Sequence, residues 1–503
     1  MFRKSKIHLV STFAMAAAFA AINASVNLAM AATAEGSHQG QAGIDFVDSY
    51  TPTHTESQYV SPIKPYDAAA TIRPKAITLA AMPTHELDEK RPVHKIGAPT
   101  IVSVPRAVAD TDTAVKTASR MQWTTSALGN RVGAIRIKST DAKGVLIGVL
   151  VEKLPSEAML RFHADKSGTA LHVSAADILA RIQANVDAGD KTDFGRTYWA
   201  PIFDNNDVTM EIELPADIGI DTVQISIPLI AHVFVSPAEL DEKALNEAKT
   251  SAGTCNLDAT CYPEYDNESR SVAKLYFLVS PGSAALCTGT LLNNRFSDGT
   301  PYLLTADHCI STQTMASNLI AIKWLHRTSA CSNGIESTPI YQTGGGAILL
   351  HSSPLTDTSF LRLNERPPSV VRFAGWSAEP VTNGEFALGL HNPGGGLQEA
   401  SLGKVAYYLT CTNSGGNCFV GGTMATHIGA EWTGGSIAGG SSGSGLFVTK
   451  NNARYLVGQL FGGHLCASPI LVKGVYGRFD VPYRAALKTW LSPDELILRN
   501  GFE

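Results

Sequence analysis

The sequence predicts a mainly β chain with two unlike halves: an all-β domain in the second half, preceded by a smaller α+β domain. Three observations support this. Short β-branched runs separated by turn residues recur, with 44 Gly and 25 Pro among 503 residues, and long helical heptads are absent. Hydrophobic residues make up 44% and charged residues 17%, which is enough apolar mass for two or three cores and too little charge for a disordered chain. All 8 cysteines lie at or after Cys255, so only the second half is read as covalently braced.

Taken from the start, residues 1–31 read as an export signal. A cationic patch (Arg3, Lys4, Lys6) precedes an apolar stretch from Leu9 to Ile22 and then small residues including Ala29-Met30-Ala31. The apolar stretch is shorter than the ~20 residues a bilayer requires, so no membrane anchor is expected. The chain is expected outside the cytoplasm, periplasmic or extracellular, where disulfides persist. Its 40 Lys plus Arg against 45 Asp plus Glu give a net charge of −5, and no basic run is dense enough to neutralise a phosphate backbone. Nucleic acid is therefore excluded as a partner. Neither Cys-x-x-Cys nor His-Glu-x-x-His occurs, so no metal is expected.

Residues 32 to about 120 are rich in Ala, Thr, Pro and His without a sustained period, and little structure is expected there. From Val132 strand-like runs follow at 132–137, 144–151, 208–214 and 223–235, with a helix around 175–184. They define an ordered α+β part at about 120–240 within a region spanning 32–249. Pro237 to Lys249 is a charged, helix-like linker of the kind that processing proteases cut. Residues 250–491 form a β-rich unit of single-domain size, and 492–503 read as a tail.

Three motifs in the second unit belong together: Thr305-Ala306-Asp307-His308-Cys309, Asp357 to Leu363, and Gly440-Ser441-Ser442-Gly443-Ser444. A serine hydroxyl is a weak nucleophile at neutral pH. It needs an imidazole to take its proton and a carboxylate to hold the imidazole's tautomer. His308, Asp357 and Ser442 supply the three parts. Asp307 adjoins His308, but adjacent side chains rarely face each other as the chemistry requires. Ser441 also fits a Gly-x-Ser-x-Gly esterase elbow, which requires an acid and then a histidine downstream; only His464 follows, with no acid between. The remaining histidines, His391 and His464 among them, show no partner set beyond candidacy for a pocket, and Trp376, Trp432 and Phe461 read as core or wall residues.

On these residues the chain resembles chymotrypsin-type serine endopeptidases, which share the order His, Asp, Ser. It is still more similar to the bacterial lysyl endopeptidase subfamily through Gly253 to Asp258, Ala374-Gly375-Trp376, His391-Asn392-Pro393, Gly458-Gln459-Leu460 with Gly462-Gly463, and Tyr476-Gly477-Arg478. The resemblance implies two six-stranded antiparallel β-barrels, a cofactor-free monomer acting on proteins or peptides, and a propeptide that aids folding or inhibits. It implies attack by Ser442, proton relay by His308, orientation by Asp357, and an oxyanion hole from the N–H groups of Gly440 and Ser442. It also implies the pairs Cys255 with Cys466, Cys261 with Cys331, and Cys287 with Cys309, leaving Cys411 with Cys418.

The sequence departs from the lysine-specific pattern at the specificity pocket of Phe461, Gly462 and Gly474. Gly474 stands where those enzymes carry an acid, and Phe461 where they carry a histidine. An unpaired ammonium buried there is costly, so an apolar residue before the scissile bond is expected. Asp480 and Glu431 are the only acids that folding could bring in. Against this, cleavage after Lys249 would start the mature chain at Thr250 with the spacing to Cys255 seen after a lysine in those relatives. The alternative to an enzyme is a protease-like secreted module that binds without cutting.

Overall fold

Strands must satisfy their backbone groups, and most of those in the first half do so in two sheets that share one apolar core. The computed structural model describes residues 45–52, 74–83, 98–164, 170–203, 205–235, 257–412, 417–422, 424–463 and 472–493, with His85, Leu87 and Glu239. In one sheet Ile77–Leu79, Arg131–Ser139, Asp207–Leu214, Met159–Ala164 and Ala170–Ser174 lie side by side, and Gln122–Thr125 also pairs with Arg131–Ser139. In the other the order is Thr197–Trp199, Gly144–Lys153, Leu229–Val233 and Ser103–Ala107, with Gln224–Ser226 also on Gly144–Lys153. The unbroken apolar run from Gly144 to Val151 reflects burial on both faces. Val145, Ile147 and Val149 enter the shared core, whereas Leu146 faces the second half of the chain. The helix Ala175–Asp187 begins where the Ser174 hydroxyl accepts the Asp177 N–H, and it buries Ile178.

Two sequence expectations change here. The run 223–235 divides into Gln224–Ser226 and Leu229–Val233, because Pro228 has no N–H to give the ladder. Stretches before residue 120, read as having little structure, are built into the fold. Phe46–Val47 pairs with Trp376–Ser377, Thr100–Ile101 with Ala285–Leu286, Ser103–Ala107 with Leu229–Val233, and Ala114–Arg120 is a helix. Strands of two to five residues are too short to show a period, and distant partners hold them. The predicted export signal and nearly all of the linker and tail lie outside the described residues.

In the second half, Phe386–His391, Glu399–Cys411, His427–Gly434, Val472–Arg478, Ala453–Gly463 and Gly445–Lys450 follow one another and close into a ring. The other sheet runs Tyr341–Thr343, Leu319–Trp324, Val272–Ser280, Ser283–Leu292, Tyr302–Ala306, Thr358–Leu363 and Ala347–Ser353, and stays open. Its end strands meet at Gly344–Gly346, where backbone groups turn elsewhere: the Gly344 N–H donates to Glu365 Oε2 at 3.1 Å, and the Gly346 carbonyl accepts from Asn364 at 3.1 Å. One closed barrel and one open sheet therefore replace the two closed barrels expected. Leu292, Leu304, Phe360, Trp376, Leu388 and Phe447 join them in a common buried cluster.

Candidate active site

Strand pairing brings the histidine and the acid together. Ala306 lies opposite Thr358 at the end of a ladder, so His308 and Asp357 leave neighbouring strands side by side. His308 Nδ1 is 2.8 Å from Asp357 Oδ2, and the His308 backbone N–H donates to Oδ1 at 2.9 Å. Nε2, the other ring nitrogen, has no hydrogen-bond partner among the described residues. Asp357 is 5% exposed and holds φ at +51°, a left-handed conformation costly for a non-glycine residue. Two neighbours hold it there. Asp307 N–H donates to the Asp357 carbonyl at 3.0 Å, and Gln459 Nε2 donates to the carbonyls of Thr356 at 2.7 Å and Asp357 at 3.2 Å. The Asp307 carboxylate accepts from Ser352 instead of His308, and burial pushes its pKa up.

The serine loop is tied to the same framework by Thr288. Its N–H donates to the Ser442 carbonyl and its hydroxyl to the Gly440 carbonyl, each at 2.8 Å. The preceding residue, Cys287, is bridged to Cys309, next to His308. Gly440 turns the loop at φ +89°, and a Cβ there would lie 2.8 Å from the Gly395 nitrogen. The N–H groups of Gly440 and Ser442 donate to no acceptor among the described residues, and Ser442 is 6% exposed. Ser441 is engaged elsewhere: His391 Nδ1 lies 2.9 Å from its hydroxyl, and His391 Nε2 lies 3.0 Å from Ser401 Oγ. Complete burial pushes His391 down to about 3, so it is a neutral core residue that braces the loop. His464 lies outside the described residues.

Gly474 sits in the ladder between Ala430 and Gly463, with Gly462 opposite Val475. A Cβ on Gly474 would meet Tyr476 Cε2 at 2.8 Å and Trp432 Nε1 at 2.9 Å, so aromatic rings fill the space beside it. Leu409, Cys411 and Val475 pack on Phe461, which stands edge-on to His308 at 6.2 Å between centroids. Both candidate acids are committed elsewhere. Glu431 pairs with Lys404 at 3.1 Å, and Asp480 grips Arg478 at 2.9 and 2.6 Å.

Disulfides join Cys261 to Cys331, Cys287 to Cys309 and Cys411 to Cys418, while Cys255 and Cys466 lie outside the described residues. Ligand atoms of Cys287, Cys309 and His308 cluster within 4.8 Å, but sulfurs bonded to each other provide no thiolate for a metal. The roles of three residues near the site escaped the sequence reading: Thr288 and Gln459, which brace the serine loop and Asp357, and His427. His427 is buried with Nε2 unpartnered, and burial pushes it down to about 4. A polar residue within an otherwise apolar strand, as Gln459 is, was the available signal.

Comparison with known proteins finds relatives for both halves of the chain. Residues 249–474 match the family described as lysyl endopeptidase, C-terminal domain, and 76–234 match the lysyl endopeptidase N-terminal domain. A lysyl endopeptidase of Pseudomonas aeruginosa is 29% identical over 424 residues, covering 81% of this chain and 85% of that one. Among solved structures, the active form of the Rv3671c protease from M. tuberculosis aligns at 17% identity and TM-score 0.30, covering 47% of this chain and 87% of that one. The HtrA-type protease AlgW with tripeptide aligns at 19% and 0.30, covering 45% and 62%. The chain is a serine endopeptidase. Within that class it belongs with the lysyl endopeptidase-like proteases.

Proposed function

We propose that this chain is made as an exported proenzyme (signal 1–31, pro-region 32–249, protease domain 250–491, tail 492–503) whose mature part cleaves peptide bonds after bulky apolar residues. Ser442 attacks the scissile carbonyl and passes its proton to His308 Nε2, while Asp357 holds Nδ1–H and stabilises the imidazolium. The N–H groups of Gly440 and Ser442, which donate to no other acceptor among the described residues, bind the oxyanion; such donors contribute about 100- to 1,000-fold each in kcat. His308 then protonates the leaving amine, and water releases the acyl group. Nothing in this sequence of steps calls for a metal or cofactor.

The observation that carries the specificity is the pocket base. Gly474 offers no carboxylate, Trp432 and Tyr476 present ring atoms there, and Glu431 and Asp480 are paired with Lys404 and Arg478. A substrate ammonium would be desolvated without a counter-ion, whereas an apolar side chain loses nothing by burial. Export is supported by the N-terminal signal pattern; among the described residues no helix is long and apolar enough to cross a membrane. A fluorophosphonate probe tests the activity. The processed chain is expected to label at Ser442, with labelling abolished in Ser442→Ala; folded, processed protein that takes no label returns the non-cutting binding module to the front.

A further inference from the structure

The strand Ser283–Leu292 has one edge that passes the serine, and a segment of the first half lies on it. Alternation along a strand turns the backbone groups of Ala284, Leu286 and Thr288 to the same side. Thr288 uses that side to hold the Ser442 carbonyl at 2.8 Å. Two residues away, about 7 Å along the strand, Leu286 pairs with Thr100 and Ala285 with Ile101. Val102 N–H donates to the Ala284 carbonyl at 2.9 Å, and the Ser103 hydroxyl both accepts from Ala284 N–H at 2.7 Å and donates to the Gly282 carbonyl at 2.9 Å. Side chains seal the contact, with Val102, Leu146 and Trp199 buried against Leu278, Ala284 and Leu286.

The direction of the added strand matters. From Thr100 to Ser103 it runs from Leu286 towards Gly282, away from Ser442 as residue numbers rise. The leaving-group side of a peptide substrate has the same polarity, since it starts at the serine and continues towards its own C-terminus. Other described contacts between the halves, among them Phe46–Val47 on Trp376–Ser377, Asp48 with Asn293 and Tyr455, and Asp190 with Thr314, involve none of Phe461, Gly462 and Gly474.

We propose that Thr100–Ser103 of the pro-region, by pairing with Ala284–Leu286, occupies the strand edge on which the leaving-group side of a peptide substrate pairs, and does so until the pro-region departs. The inference rests on the protease reading above. It specifies a one-sided block: the acyl side of the cleft stays open in the uncut chain while peptides that extend past the scissile bond are excluded.

The test compares two substrates on two forms of the enzyme. One is a nitroanilide carrying the acyl residues that the processed enzyme prefers. The other is an internally quenched peptide with the same acyl residues and several more after the scissile bond. The forms are the processed chain freed of its pro-region and the full chain kept whole by Lys249→Gln, its integrity checked by mass. The uncut chain is expected to lose roughly 100-fold in kcat/KM on the peptide, as a coupling between competing ligands of one edge would give, and little on the nitroanilide. Val102→Pro, which removes the N–H given to Ala284, is expected to restore peptide cleavage in the uncut chain. Ser103→Ala, a milder change, is expected to do so in part. Equal slowing of both substrates, or slowing of neither, overturns the proposal. A processed enzyme that turns over neither substrate overturns the reading of Ser442 itself, a failure seen without reference to the uncut chain.

Discussion

At the scale of single residues, the account depends on what Gly474 lacks. Gly474→Asp places a carboxylate at the proposed pocket base, but its Cβ would sit 2.9 Å from Trp432 Nε1 and 2.8 Å from Tyr476 Cε2, so those rings must move. Overpacking of this kind costs about 1–3 kcal/mol. The variant is expected to melt lower than the parent and to shift preference towards lysine by about tenfold or more, since ~1.4 kcal/mol of new ion pairing is a factor of ten. Peptide-library kinetics check it, and an unchanged preference would mean that residue 474 does not face the substrate. The meeting of His308 with Asp357 was legible from order and chemistry, because each carries a reactive group in a marked motif. Gln459 was legible as part of a motif but not in its role, because it donates to the backbone around Asp357, held at φ +51°, and a motif does not show which distant carbonyl an amide reaches. His391 was legible as a residue but not as a brace, since its partners Ser401 and Ser441 lie on other segments.

At the scale of elements, the catalytic pieces are joined by the strand Ser283–Leu292 and its bridge. Cys287–Cys309 closes a loop with a sequence separation of 22 residues and carries the histidine turn. Removing it as Cys287→Ser with Cys309→Ser is expected to cost about 3 kcal/mol of stability. It is also expected to lower kcat by roughly 100-fold through loss of alignment, with KM little changed. Calorimetry and steady-state kinetics on the same samples check both, and an unaltered kcat would show that the bridge does not position His308. Long strands such as Gly144–Lys153 and Asp207–Leu214 were readable from apolar runs. Thr100–Ile101 and Phe46–Val47 were not. Two residues carry no period, and both strands exist only because an edge far away in sequence accepts them. The same reason hid the open end of the sheet at Gly344–Gly346: ring closure is decided by which acceptor a backbone N–H finds, here Glu365.

For the whole molecule, buried neutral histidines set the response to acid. Burial pushes His391 down to about 3 and His232 and His427 to about 4, below the ordinary value of 6.5. In the unfolded chain they protonate as pH falls through about 6.5, while the folded chain resists until near pH 4, so unfolding near pH 5 takes up about three protons from this source. Their contribution is complete above pH 6.5 and is lost as pH falls from there towards 4. Melting temperatures of the Ser442→Ala full chain between pH 7 and 4.5 should fall steadily, and a flat profile would show that these imidazoles are not held neutral. The division of the sequence into a cysteine-free and a cysteine-bearing half was plain from composition. The extent to which the first half is built onto the second was not, because that contact is an apolar surface shared by residues distant in sequence, Leu146 with Leu286 among them. The most direct test of the central claim is to map, by mass spectrometry, the bonds that the processed enzyme cuts in a denatured protein mixture, with Ser442→Ala as control. Cuts after bulky apolar residues, absent from the control, are the predicted result; cuts confined to lysine, or none above the control, would contradict it.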